Sequence, residues 1–132
     1  MKLKFIDIDL NKQKPKATIH ASGKLGFNME AIEFMKLENK NSYQIALDEE
    51  NTKVIYLVET EDTNNSAKVA KAGAYYYLNA GDAFERLGFK YTEYTIMFDI
   101  SKDRYEDKDL YVLKQVREIK RKDKDEKEED TI

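Results

Sequence analysis

The chain has 132 residues, with 23 Lys plus Arg against 26 Asp plus Glu, a formal net charge of −3 with its one histidine neutral. That length fits one domain, and 41% apolar residues suffice for a small core while the 37% that are charged must take surface or tails. The absence of cysteine excludes disulfides, thiol nucleophiles and thiolate metal sites, and His20 alone supplies neither a His-rich metal site nor a full catalytic triad.

Residues 1–16 read as an N-terminal strand and a basic connector. Leu3, Phe5, Ile6, Ile8 and Leu10 alternate with Asp7 and Asp9 over much of their length, and Lys12, Lys14, Pro15 and Lys16 follow. The acidic residues of this start stand where a signal peptide has its apolar stretch, and no run approaches the ~20 apolar residues of a membrane span. A soluble, cytoplasmic chain with no membrane partner is expected.

From Ala17 onward two stretches, residues 17–58 and 67–116, repeat one another at a spacing of about fifty positions. Ile19, Ala21, Gly23, Leu25 and Phe27 alternate, and fifty positions on stand Val69, Lys71, Gly73, Tyr75 and Tyr77. Each stretch then turns to helical spacing. Asn28 is placed to cap a helix carrying Ile32, Met35 or Phe34, and Leu37; Asn79 is placed to cap one carrying Ala83, Phe84 and Leu87. Tyr43, Ile45 and Leu47 before Asp48 match Tyr94, Ile96 and Phe98 before Asp99, and the apolar runs 55–58 and 110–113 close the units. Residues 59–66, ETEDTNNS, hold no apolar side chain and read as the linker between units. Residues 117–132 alternate in sign with two isoleucines to bury, and read as a solvated tail, disordered or loosely helical.

Each unit thus reads ββαββ and buries one face of its sheet, so two units are expected to cover each other. The fold class implied is mainly β with two short helices: pseudo-twofold duplicated ββαββ units forming one intertwined, barrel-like domain.

The first unit carries Ser22-Gly23-Lys24-Leu25-Gly26-Phe27-Asn28, then Glu30-Ala31-Ile32 and Met35-Lys36-Leu37, then Tyr43-Gln44-Ile45 and Val54-Ile55-Tyr56-Leu57. This resembles the AbrB/MazE/SpoVT swapped-hairpin family over about forty residues. It departs where that family has a proline, here Asn28, and an arginine in the helix, here Ile32 and Glu33; the loop at residues 38–42 also lacks the family's Gly-Asp. The resemblance implies a dimer-like barrel made within one chain, related to cradle-loop barrels, and DNA contact through basic residues of the hairpins.

Residues 1–29 hold six lysines against two aspartates, a net +4, whereas residues 49–66 hold a net −4. Lys12, Lys14, Lys16 and Lys24, with His20 and Ser22, are therefore the candidate nucleic-acid contacts, for single- or double-stranded DNA. The bland alternative is that these lysines only keep a half-exposed sheet in solution. The four arginines, Arg86, Arg104, Arg117 and Arg121, lie outside the hairpins, which leaves base-specific readout poorly equipped. Tyr75, Tyr76 and Tyr77 place a ring on each face of one strand, for stacking on bases or for contact with a second copy or another protein, Tyr76 being the expected dimer contact; core packing is the plain reading. A cleft between the units is a third, small-molecule reading. Asp7 and Asp9, with Asp48 or Asp99, fix no complete cation shell, and alternating acids are ordinarily a wet strand face. With no phosphate loop, nucleophile elbow or spaced carboxylate pair, the expectation is no enzyme, no catalytic residue, no cofactor and no metal.

Overall fold

The computed structural model describes residues 1–6, 14–39 and 42–122. Lys12, Asp7 and Asp9 lie outside these residues, as does most of the charged C-terminal run. Among the described residues eight strands form one closed antiparallel barrel with two short helices. In chain order they are β1 (Lys16–Ile19), β2 (Lys24–Phe27), α1 (Met29–Met35), a single 3-10 turn (Leu37–Asn39), β3 (Ser42–Asp48), β4 (Asn51–Thr60), β5 (Ala67–Ala72), β6 (Tyr75–Asn79), α2 (Gly81–Arg86), β7 (Tyr94–Tyr105) and β8 (Lys108–Lys120). Around the barrel the order is β1-β2-β6-β5-β3-β4-β8-β7, and β7 closes onto β1.

The alternation read from the sequence becomes an inside and an outside. Ile19, Leu25, Ile55, Leu57, Leu78, Phe98 and Leu113 are fully buried in the barrel interior, where α1 adds Ala31 and Met35 and α2 adds Phe84. Lys16, Thr18 and Lys24 sit half-buried at the intervening positions, and Gly26, on the same face, is buried beneath Tyr75 and His20. Burial of a Leu, Ile or Phe side chain stabilises by roughly 1.5–3 kcal/mol, so each strand is held by its alternate residues.

Turn chemistry follows local need. Gly23, at φ +82°, lets the β1–β2 connection fold back so closely that a β-carbon there would lie 2.6 Å from the α-carbon of Gly81 at the start of α2. The β7–β8 hairpin turns through Glu106 and Asp107, both at positive φ, the conformation of a two-residue hairpin loop.

Several sequence expectations are corrected here. Residues 1–6 are not in a strand, and among the described residues the first strand begins at Lys16. Glu59 and Thr60 belong to β4, so the connection between β4 and β5 is shorter than 59–66. Residues 117–120 are not tail but the end of β8, paired with β7 from Met97 back to Tyr94. Of the two alternatives in α1, Met35 is buried, with Ala31 and Ile32, and Phe34 lies 38% exposed, edge-on to Tyr111. Asn79 does not cap α2: it still belongs to β6, opposite Lys24, and the cap position falls to Ala80, which makes no side-chain cap bond.

Asn28 does cap α1, and more. Its Oδ1 accepts from the Ala31 N–H at 2.9 Å and from the Lys16 N–H at 3.0 Å, while its Nδ2 donates to the Lys14 carbonyl at 2.8 Å. One side chain therefore fastens both the start of α1 and the entry to β1. Asn28→Ala removes all three bonds and is expected to cost about 1–3 kcal/mol in urea unfolding. Asn28→Asp keeps the acceptor and should lose less than Asn28→Ala.

Candidate nucleic-acid interface

The outer surface of β1, β2 and β6 gathers four of the singled-out residues, His20, Lys24, Tyr75 and Tyr77. Register fixes the arrangement: Thr18 lies opposite Gly26, Gly26 opposite Tyr77, and Tyr77 opposite Ala70, while Lys24 lies opposite Asn79. Tyr75 and Tyr77, two apart on β6, point out together, and their rings stack at 5.7 Å with 24° between planes. The Lys24 ammonium stands over the Tyr77 ring, 4.6 Å from its centre, a cation–π contact.

Gly26 makes room for this cluster. A β-carbon there would collide with the Tyr75 hydroxyl and come within 2.9 Å of His20 Nε2. The imidazole and Tyr75 ring centres are 6.1 Å apart. Burial pushes the Tyr75 phenol above its ordinary range, and the neighbouring Tyr77 adds to the shift.

Of the expected contacts, His20, Lys24, Tyr75 and Tyr77 come together. Ser22 is exposed in the β1–β2 connection, and Lys14 is exposed ahead of β1. Lys16 is half-exposed and pairs with Asp99 at 3.5 Å, so its charge is partly answered within the barrel. Tyr76 is corrected outright. It is 8% exposed and packs in the core, and Tyr75 and Tyr77, matched in sequence to the inward Leu25 and Phe27, point outward instead. The parity of β6 is set by its pairing with β2 and β5, which puts Leu78 opposite both Leu25 and Val69.

The residue that sequence reasoning missed is Arg121, just after β8. Its Nε donates to the Tyr91 carbonyl at 3.0 Å and its guanidinium to the Ile19 carbonyl at 3.3 Å. Only its place in a mixed-charge run is visible in the sequence; its partners are carbonyls, which carry no residue signature. Arg121 clasps the end of β8 to the β1–β2 hairpin beside His20. Burial holds the His20 imidazole below its ordinary pKa of 6.5, and the Arg121 charge lowers it further.

Among the described residues no three His, Asp or Glu side chains converge as a metal site, and no helix is long and apolar enough to cross a membrane. Compared with protein-family models, curated proteins and solved structures, the chain matches none.

The His20 environment has a pH consequence. The fold favours the neutral ring, so the unfolded chain takes up a proton first as pH falls below 6.5. The stability His20 supplies is full above that value and is lost as pH falls through its lowered folded midpoint. The imidazole resonances should titrate below 6.5 by NMR. Arg121→Gln should raise that midpoint only in part, because burial, the larger cause, persists. His20→Gln should flatten the loss of melting temperature between neutral and mildly acidic pH.

Proposed function

We propose that the chain is a non-enzymatic module that binds single-stranded nucleic acid on the outer face of β1, β2 and β6. The observation that carries this reading is the convergence of half-buried Tyr75 and Tyr77 with Lys24 beside His20 on one outer sheet surface. Aromatic faces stack on any unpaired base, and lysines beside them take the phosphates. A base entering over Tyr77 displaces Lys24 from the ring toward the backbone phosphate, exchanging a cation–π contact for stacking plus an ion pair. A single strand is favoured over a duplex because this face carries no free arginine fork for base edges: Arg121 is occupied by two carbonyls.

The duplicated ββαββ architecture, and with it the AbrB-like resemblance, belongs to the same proposal. Exchanging β1 with β5, β2 with β6, β3 with β7 and β4 with β8 leaves the strand-pairing pattern unchanged. Register agrees: Tyr43 opposite Ala67 corresponds to Phe98 opposite Ala17, and Leu57 opposite Tyr111 to Leu113 opposite Ile55. On this correspondence the separation of equivalent residues grows from 50 positions, Ile19 to Val69, to 56 positions, Leu57 to Leu113. A constant offset of fifty therefore misassigns faces, as it did for Tyr75 and Tyr77.

The test is fluorescence anisotropy with labelled single-stranded and duplex oligonucleotides across a salt series. Single-strand binding should weaken with salt at a log–log slope of about −0.7 per phosphate contacted. Tyr77→Ala should weaken it by about 1–3 kcal/mol, and Lys24→Glu should both weaken it and flatten the slope. Absence of binding at low salt refutes the proposal; preference for the duplex refutes its single-strand form.

A further inference from the structure

A second surface lies on the opposite side of the barrel, where β4 meets β8. Tyr56 and Val58 of β4 and Leu110 of β8 form the floor of an open trough of about 540 Å³; Ala46 and Leu47 wall it on the β3 side, and Asp103 and Tyr105 on the β7 side. These floor and wall residues are largely apolar; the floor is half-buried, and Leu47 and Tyr105 on its walls are exposed. Beyond the closed part of the barrel, among the described residues, β3 from Gln44 onward pairs only with β4, and β7 from Ser101 onward pairs only with β8. Backbone edges on both flanks of the trough are thus open to an added strand.

The trough is acid-rimmed. The Tyr56 hydroxyl donates to Asp48 Oδ2 at 2.7 Å, and the phenol is pushed above its ordinary range by that bond first, then by desolvation and by the charges of Asp48, Asp103 and Glu50. Arg104 is the one cation lining the trough, and it is engaged at the hairpin turn with the Asp107 carbonyl.

The chain also holds the complementary piece. Leu3, Phe5 and Ile6 are 72%, 89% and 77% exposed, with Lys2 and Lys4 interleaved. An extended segment puts Leu3 and Phe5 on one side and both lysines on the other. It matches the trough in both respects, apolar side chains for an apolar floor and positive charge for a negative rim. Its exposure shows that the chain's own barrel does not cover it.

We propose that the chain self-associates by exchange of this arm: residues 1–6 of one copy lie in the trough of a second copy, Leu3 and Phe5 on Tyr56, Val58 and Leu110, and Lys2 and Lys4 toward Asp48, Glu50 and Asp103. Reciprocal exchange closes a twofold dimer and leaves both Tyr75–Tyr77 faces free.

Sedimentation equilibrium over a range of protein concentrations tests this. The full chain should reach twice the chain mass, and removal of residues 1–6 should raise the dissociation constant at least tenfold. Phe5→Asp in the full chain, and Val58→Lys in the trough, should do the same with unchanged circular dichroism, since both positions lie outside the core. Lys2→Glu with Lys4→Glu should weaken the dimer most at low salt. A full chain that stays at single mass throughout, or a dimer indifferent to losing the arm, overturns the proposal. So does a single-mass chain whose Leu3 and Phe5 amides are protected from hydrogen exchange, which would mean that the arm fills its own trough.

Discussion

Neither half of this chain can satisfy its own backbone. The β1–β2 hairpin and the β3–β4 hairpin each present two edges of unpaired N–H and C=O groups, and an edge left open in a small domain either wastes hydrogen bonds or invites aggregation. Pairing β2 with β6 and β4 with β8 resolves this, and pairing β1 with β7 and β3 with β5 completes the ring. Every one of those four contacts joins residues from opposite halves of the sequence. The core depends on the same closure, since Leu25 and Leu78, or Ile55 and Leu113, face inward together only when the seams hold their register.

Closure also decides what the surface can do. Once the seam between β2 and β6 puts Gly26 beside Tyr77, the missing side chain of Gly26 becomes a recess into which the Tyr75 hydroxyl and His20 fit. The hairpin bearing His20 is then fastened from two sides. Gly23 packs against Gly81 of α2, and Arg121 reaches across from the end of β8 to the Ile19 carbonyl. Burial first, and then the nearby Arg121 charge, hold the His20 imidazole below its ordinary pKa. At this face, therefore, Lys24 supplies positive charge over the Tyr77 ring, and His20 supplies a planar neighbour to Tyr75.

The parts of this arrangement differ in how far the sequence betrays them. Period-two alternation at Ile19, Leu25 and Phe27 is a local signal, and it survives intact because burial on one face of a strand leaves no other pattern. The Asn28 cap is equally local. The facing of Tyr75-Tyr76-Tyr77 is not, because three identical residues are symmetric to a shift of one, and only the distant pairing of Gly26 with Tyr77 breaks the tie. The end of β8 looked like tail for a related reason. Arg117, Glu118, Ile119 and Lys120 are all exposed, so burial writes no alternation there, and their strand identity comes from β7 alone. Helix α2 starts one residue late because β6 holds Asn79 in the sheet, a tertiary claim that outranks a capping preference.

In an eight-strand ring ordered β1-β2-β6-β5-β3-β4-β8-β7, the β2–β6 and β4–β8 seams stand on opposite sides of the barrel. Their outer surfaces have opposite chemistry: Lys24, Tyr75 and Tyr77 on one, and an apolar floor ringed by Asp48, Glu50 and Asp103 on the other. The net charge of −3 averages over this polarity. The acid-rimmed side repels an anionic ligand whatever its apolar area. The two opposite seams of the barrel thereby carry two unlike surfaces, and the difference between them rests on the outward side chains of β2, β4, β6 and β8.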